Sequence, residues 1–217
     1  MLKRLAISVV KRVGFRAKRM SVFLAVIHPT PGESVLDLGC GDGTYFEQSF
    51  PHKQKVIGVD LKWEKLRQMR EKFPETRAVV ADVRMLPFKD QRVDVVFSNS
   101  TIEHLGNFTQ QSCFAQEVMR VGRRYFVQTP NRYFPIEPHT LIPFFQFLPG
   151  GLQKFLSLRF PMGNYAKGGI LRDALALLSR KEVRRLFPES KMYCEKIFGL
   201  TKSFCVYSEF SGTREIP

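Results

Sequence analysis

The chain has 217 residues, a length that suits one domain with an elaborated insert. Hydrophobic residues make up 44% and charged residues 25%, which is ordinary for a globular protein and excludes a collagen-like, a wholly disordered or a disulfide-scaffold chain. The net charge of +14, from 34 basic and 20 acidic residues, indicates an anionic partner, either nucleic acid or membrane phosphate.

The first segment, residues 1–28, predicts a basic amphipathic helix. Seven lysines and arginines precede position 20, the first acidic residue is Glu33, and apolar residues recur at helical spacing along one side. Two roles follow from this pattern. The helix covers a ligand site as a lid, or residues 1–20 dock on an anionic membrane surface.

Cysteine usage and hydropathy predict the compartment. The four cysteines include no CxxC pair, which favours a reducing cytoplasm and no zinc site, and we find no metal-ligand cluster. The apolar run at 5–10 is shorter than a signal peptide requires, and no run suits a transmembrane helix. We expect a cytoplasmic protein, in part peripheral at the inner face of the membrane.

Short apolar runs then alternate with helical patterns. This order predicts an α/β domain with a parallel sheet and right-handed crossovers. Strands are predicted at 34–38, 55–59, 77–81, 92–97 and 123–128, and helices at 62–73 and 109–120.

The pattern changes after the fifth strand. Residues 130–170 interleave prolines with phenylalanines, which predicts an insert of short helices over the sheet edge. A helix at 178–187 and an antiparallel strand pair at 191–197 and 202–207 close the chain. The phenylalanines either wall an apolar acceptor pocket or pack the insert on the sheet; they are Phe134, Phe144, Phe145, Phe147 and Phe155.

The most informative segment is VLDLGCGDGT at 35–44. Its alternating glycines allow a tight turn from strand to helix and leave room for a ligand against the main chain. A P-loop requires GxxxxGK[ST], and a dinucleotide fingerprint requires a glycine where Thr44 stands. Asp37 would repel a pyrophosphate but suits a cationic ligand.

Two further carboxylates end predicted strands. Asp60 follows the second strand, where an acid can accept from both ribose hydroxyls, and Asp82 follows the third, where it can accept from an exocyclic amine. The carboxyl ends of parallel strands meet in one crevice, the place where open α/β sheets bind ligands. A structural alternative is that both are helix N-caps.

At this point the sequence resembles the class I S-adenosylmethionine-dependent methyltransferases, and within them the small-molecule and quinone branch (methyltransferase type 11-like). The resemblance covers roughly residues 30–131. It implies a Rossmann-like three-layer sandwich in one domain over 1–217. The implied sheet has seven strands in the order 3-2-1-4-5-7-6, with strand 7 antiparallel. It also implies that the insert after strand 5 forms the acceptor lid. The matching motifs are VLDLGCGDG, GVD at 58–60, ADVRMLPF at 81–88, VDVVFSNSTIEHL at 93–105 and QTPN at 128–131.

The resemblance also implies the roles of single residues toward S-adenosylmethionine. The methionine part is held by Asp37 and the turn of Gly39, Cys40, Gly41 and Gly43. The ribose is bound by Asp60 with Leu61 near the adenine, the adenine is bound by Asp82 and Val83, and the sulfonium is lined by Asn99, Ser100 and His104. The structural alternatives are a tight turn at the glycines that binds no ligand, and an inert packing role for Cys40.

Methyl transfer is an in-line displacement that needs a base only when the acceptor must lose a proton. Two histidines are candidates. His139 lies in the proline-stiffened turn of the insert beside Glu137, and His104 lies just after the fourth strand. The alternative for His104 is a place in the cofactor pocket or a structural role. The alternative for His139 is a helix cap or a hydrogen bond to the insert's own backbone.

Three functions remain open. The first is methylation of a small-molecule or lipid-like acceptor, favoured by the aromatic insert and the basic N-terminus. The second is an RNA methyltransferase using the basic surface, which is disfavoured because SNST stands at 98–101 where the base-amino enzymes carry [DNS]PP[YFW]. The third is a non-catalytic scaffold, which the presence of Asp37, Asp60 and Asp82 opposes.

Overall fold

A computed structural model of the protein describes residues 15–46, 50–52, 55–136, 143–159 and 175–208. Seven strands form one sheet in the order β3-β2-β1-β4-β5-β7-β6, which confirms the predicted order. The strands are β1 (Val35–Leu38), β2 (Val56–Asp60), β3 (Arg77–Val80), β4 (Val93–Asn99), β5 (Gly122–Pro130), β6 (Lys191–Ile197) and β7 (Leu200–Tyr207). The helices are α1 (Phe15–Ile27), α2 (Trp63–Lys72), α3 (Phe108–Val121), α4 (Gly150–Arg159) and α5 (Arg180–Leu186).

The first five strands pair in parallel, and β7 lies antiparallel between β5 and β6. Every residue of β1 is buried, as expected for a central parallel strand covered on both faces. The register places Asp37 beside Gly58 of β2 and Phe97 of β4. The carboxyl ends of these strands therefore meet at one edge.

Neighbouring residues of the strands bury their side chains in two different cores, which defines a three-layer arrangement. Leu36 and Val96 pack with Phe114 and Val118 of α3. On the opposite face, α1 packs in a second core, whose sheet members include Val35, Val95, Phe97, Phe126 and Cys205. The sheet is thus covered on both faces by packed side chains.

Helix α1 lies on the sheet through a cluster of aromatic rings. The ring of Phe23 is 5.0 Å from that of Phe97 and 5.5 Å from that of Phe126, centroid to centroid, in edge-on geometry. Arg124 of β5 donates to the carbonyl oxygen of Ile27 and to the Glu33 carboxylate, which fixes the end of the helix. The sheet-packing part of the predicted N-terminal helix is therefore present, and residues 1–14 lie outside the described part.

The last helix is shorter than the sequence predicts. The expected helix at 178–187 begins at Arg180, because Ser179 forms a capping box with Glu182. Leu178 instead makes a parallel bridge with Asn131 at the end of β5. The closing strand pair is confirmed, but its connection consists of Phe198 and Gly199 alone.

The described part of the insert contains a 3₁₀ turn at Phe145–Phe147 and helix α4, and residues 137–142 and 160–174 lie outside the described part. Its phenylalanines divide into two groups. Phe134 and Phe145 are buried, whereas Phe144, Phe147 and Phe155 are exposed. Packing thus accounts for two of these rings, and the acceptor-lid role of the insert stays a prediction. Within the described ranges, no helix has the length and hydropathy needed to cross a membrane.

Candidate functional site

The turn after β1 requires glycine for two separate reasons. Gly39, Gly41 and Gly43 all have left-handed backbone, with φ of 71°, 59° and 72°. A Cβ on Gly39 would also collide with the side chain of Thr101, whose Cγ2 would lie 2.7 Å away. The amide of Gly39 donates to the Val59 carbonyl at 2.8 Å, so the turn is fixed to the end of β2.

Asp60 organises the turn through its carboxylate. Oδ2 accepts from the amide of Gly41 at 3.0 Å, and Oδ1 accepts from the amide of Lys62 at 2.9 Å. The side chain is half-buried, and each oxygen can accept a second hydrogen bond. The arrangement leaves Asp60 able to accept from vicinal hydroxyl groups at the edge of the sheet.

Asp82 has a partner that the sequence analysis did not assign. Arg84 donates from Nε at 2.8 Å to Oδ1 and from Nη2 at 2.5 Å to Oδ2, and its amide also donates to Oδ1. The hydrogen bonds from Arg84 lower the pKa of Asp82 below its ordinary value, outweighing partial burial. Asp82 is therefore an ionised, oriented acceptor, and an exocyclic amine would share it with Arg84. The adjacent Val83 is buried.

The end of β4 meets the glycine turn from the other side. Ser98 and Thr101 both donate their hydroxyl hydrogens to the Leu38 carbonyl at 3.1 Å. Between them, Ser100 has left-handed backbone with φ of 56°, and its hydroxyl donates to Oε1 of Gln128 at 2.9 Å. Such strained backbone is frequent at functional sites. The predicted pair Asn99 and Ser100 thus lies at the crevice, beside the turn.

A buried ion pair connects helix α1 to this edge. Arg19 donates from Nε at 2.9 Å and from Nη2 at 2.8 Å to the two oxygens of Glu195 on β6, and its Nη1 donates to the side-chain oxygen of Asn99. Arg19 is 7% exposed and Glu195 is 2% exposed. The Ser203 hydroxyl also donates to Glu195. The network closes one end of the crevice.

In this network, burial and ion pairing together shift the pKa values of the acidic groups. Burial alone would raise the pKa of Glu195, but hydrogen bonding and attraction from Arg19 outweigh it and lower that pKa. The nearby Tyr45 is affected mainly by burial, which raises its pKa to about 12 despite the charge of Arg19. At neutral pH, Glu195 is thus ionised and Tyr45 is protonated.

Asp42, inside the glycine turn, is held by α2. Its Oδ2 accepts from Nζ of Lys72 at 2.6 Å. Burial opposes ionisation, but the hydrogen bonds from Lys72 and Thr44 prevail and lower the pKa of Asp42 to about 2. This acid belongs to the support of the turn.

The remaining predicted residues fall in three classes. Asp37 and Cys40 are buried at the base of the turn. Leu61 and His104 are exposed beside the crevice, His104 at the end of the 3₁₀ turn Ile102–His104. His139 lies outside the described residues. Among the residues that the structure describes, no group of three or more His, Cys, Asp and Glu could hold a metal ion.

The residues that support the site are not predicted by the sequence motifs. Arg84 stands two positions after Asp82, and that spacing could have indicated it. Thr101 could be found only by knowing what lies against Gly39. Arg19 was taken as one charge of a basic surface helix, and this interpretation is wrong because its guanidinium is buried against Glu195, 176 residues away.

Residues 35–124 match the family described as a methyltransferase domain. The chain superposes on magnesium protoporphyrin IX methyltransferase from Synechocystis PCC 6803, a structure solved with bound SAH (S-adenosylhomocysteine). The TM-score is 0.57 and the sequence identity is 15%. The superposition covers 92% of this chain and 89% of that one. The fold is that of the class I S-adenosylmethionine-dependent methyltransferases. The methyltransferase fold predicted from the sequence motifs is confirmed.

Curated relatives match about half to two thirds of the chain. A probable S-adenosylmethionine-dependent methyltransferase of Mycolicibacterium smegmatis is 33% identical over 113 residues, which are 51% of this chain and 43% of that protein. A ubiquinone biosynthesis O-methyltransferase of Coxiella burnetii is 26% identical over 151 residues, which are 65% of this chain and 64% of that protein. The chain spans less than half the length of the first curated relatives it matches.

Proposed function

We propose that the protein is an S-adenosylmethionine-dependent methyltransferase that acts on a small-molecule or lipid-like acceptor. One observation carries this proposal. The glycine turn, Asp60 and the end of β4 are joined by hydrogen bonds, through the contacts of Gly41 with Asp60 and of Thr101 with Leu38, and the segment of Asp82 is joined to them by the Ala81 amide, which donates to the Asp60 carbonyl oxygen at 3.3 Å. These groups are the ones that the family resemblance assigns to the cofactor.

The donor set fits the chemistry of each part of S-adenosylmethionine. Asp37 supplies negative charge beside the glycine turn, which suits the ammonium group of the methionine part. Asp60 supplies carboxylate oxygens for the ribose hydroxyls, and Asp82 supplies an oriented acceptor for the adenine amine. The left-handed glycines leave the main chain open to close approach by a ligand.

When bound, S-adenosylmethionine supplies a methyl group already activated on a sulfonium. What the chain must then do is align the acceptor with that methyl group and exclude water. Asn99, held by Arg19, and Ser100, held by Gln128, fix one wall of the crevice. Helix α1 packs on the sheet on the same side as Arg19.

Two observations support a small or lipid-like acceptor. The Coxiella relative bears the name of a ubiquinone biosynthesis O-methyltransferase. In addition, exposed aromatic side chains of the insert, Tyr133, Phe144 and Phe147, stand at the carboxyl edge, next to the chain that leaves β5. An apolar acceptor that binds there would bury these rings, and the removal of their apolar surface from water would stabilise the complex.

The predicted base stays a proposal with two candidates. His104 is exposed after β4, so its ring can approach an acceptor, whereas His139 belongs to residues outside the described part. The proposed contact of residues 1–20 with an anionic membrane is supported by their sequence charge. From Met20 on, the apolar side of α1 packs on the sheet, so a membrane contact would use the residues that precede it.

Transfer of label from methyl-tritiated S-adenosylmethionine tests the proposal. The protein is incubated with lipid, polar-metabolite and RNA fractions from cells that lack it, and each fraction is counted and analysed by mass spectrometry. We expect label in a lipid or metabolite that becomes heavier by one methylene, and none with Asp60→Ala. Label confined to RNA would support the alternative RNA methyltransferase, and label in no fraction would contradict the proposal.

A further inference from the structure

The tip of the β6–β7 hairpin has an unusual residue in a demanding backbone position. Ile197 and Leu200 form the last strand pair, so Phe198 and Gly199 alone make the turn. Both have positive φ, 48° and 78°, which is the pattern of a type I′ turn. Such turns favour Asn-Gly, Asp-Gly or Gly-Gly, because a bulky side chain at positive φ is strained.

Packing does not compensate this strain. The Phe198 side chain is fully exposed, and the neighbouring Leu200 is 54% exposed. A large apolar side chain thus occupies a strained position and buries none of its surface within the described residues. Local strain that gains nothing for the fold points to a function outside it.

The charges around the tip have one sign. Residues 196–202, KIFGLTK, hold two lysines and no acidic residue. Lys196 is exposed, whereas the preceding acid, Glu195, is buried and paired with Arg19. The surface therefore combines an apolar tip with positive charge at its base. This combination matches the boundary between anionic headgroups and acyl chains, where aromatic rings insert and lysines approach phosphate.

The apolar surface continues from the hairpin into the insert. The amide and side chain of Asn131 donate to the carbonyl oxygens of Lys202 and Thr201, at 2.9 and 2.8 Å, so the chain leaving β5 is fixed beside the hairpin. Two residues later, the exposed Tyr133 stacks on the exposed Phe147, with ring centroids 6.2 Å apart. The tip is thus one part of a wider apolar rim at this edge of the sheet.

We propose that the hairpin tip, formed by Lys196, Phe198 and Leu200, inserts into an anionic lipid bilayer. The net charge of +14 supplies long-range attraction to such a surface, and Phe198 supplies the apolar anchor. This docking depends neither on methyl transfer nor on residues 1–20. It assigns to the hairpin a role that the fold itself does not require.

Vesicle flotation of the full chain tests the proposal, with equal parts of phosphatidylcholine and phosphatidylglycerol. The decisive variant is Phe198→Asn, because Asn-Gly suits the turn and should keep or raise the melting temperature. We expect its partitioning to fall about tenfold, the order that burial of one phenylalanine provides. Lys196→Glu should weaken binding to these vesicles, and wild type should bind pure phosphatidylcholine less well.

The matched control is Met85→Ser, which removes an exposed apolar side chain following β3, at the opposite end of the sheet. It should float as wild type does. Equal flotation of wild type and Phe198→Asn would overturn the proposal, as would flotation that does not depend on phosphatidylglycerol. Failure of wild type to float at all would also overturn it and would favour a protein partner for the tip. Binding of S-adenosylhomocysteine by Phe198→Asn should be unchanged, which separates this test from that of the proposed activity.

Discussion

Single residues around the crevice are constrained by backbone geometry more than by their own chemistry. Gly39 is the clearest case, because it combines positive φ with close approach to Thr101. Asn99 is held in a different way, since its side-chain oxygen accepts a hydrogen bond from Arg19. The positions that carry the proposed cofactor chemistry are therefore held by neighbours that are distant in the sequence.

Substitution of Gly39 tests this constraint. Gly39→Ala should lower the free energy of unfolding by more than about 1 kcal/mol, from the left-handed backbone alone, with a further loss from the collision. The double variant Gly39→Ala with Thr101→Ala should lose less than the sum of the single variants, because it relieves the collision. Urea unfolding measures all three. The control Gly32→Ala should be nearly neutral, because open space surrounds a Cβ at Gly32. If the double variant lost as much free energy of unfolding as the two single variants together, the proposed collision would be contradicted.

The pair of Arg19 and Glu195 predicts a pH dependence of stability. Because the folded-state pKa of Glu195 is below its ordinary value of 4.5, its stabilising contribution is fully present above about pH 4.5 and is lost as pH falls through the folded-state pKa. Glu195→Gln leaves Arg19 buried without its counter-charge, and should cost about 3 kcal/mol at neutral pH. Urea unfolding should show that the difference in the free energy of unfolding between wild type and variant becomes smaller below pH 4.5. A gap that is constant with pH would contradict the pairing.

Helix α1 is the element on which the site most depends. It supplies Arg19 to the carboxyl edge and Phe23 to the core beneath it, so one helix both covers the sheet and orients Asn99. On the face that α1 covers, Phe46 and Phe50 also pack against its Phe23. The docking of α1 is thus a condition for the position of Asn99.

Truncation of Phe23 tests this docking. Phe23→Ala should lower the free energy of unfolding by about 3–5 kcal/mol, because the ring is fully buried among Phe46, Phe97 and Phe126. The control is Ser21→Ala on the exposed side of the same helix, which should stay within about 0.5 kcal/mol of wild type. A loss for Phe23→Ala no larger than for the control would show that α1 is not docked as described.

The sequence was sufficient to predict the elements that form from local residue patterns or that are marked by motifs shared with a family. Buried apolar runs predicted the strands to within a few residues, and five motifs in order predicted the sheet. Contacts between distant segments could not be predicted. The charge of Arg19 is indistinguishable in sequence from those of its neighbours until Glu195 is known to lie against it. The start of α5 at Arg180 likewise depends on the competing bridge of Leu178 with Asn131.

At the scale of the whole molecule, the described part of the crevice contains three acidic residues, although the protein as a whole is strongly basic. Asp37, Asp60 and Asp82 line the edge of a protein whose net charge is +14. The proposed cofactor and the proposed anionic docking surface would thus use different parts of the molecule. A sulfonium-bearing cofactor and an anionic docking surface make opposite electrostatic demands, and this separation meets both.

The central claim is that this edge binds the cofactor, and calorimetric titration with S-adenosylhomocysteine tests it most directly. Wild type should bind one equivalent. Asp60→Ala should bind about tenfold more weakly or worse, since it removes charged acceptors from the ribose hydroxyls. Asp90→Ala, which removes an exposed acid paired with Arg120, should bind as wild type does. Absence of binding by folded wild type, or equal affinity of wild type and Asp60→Ala, would contradict the account.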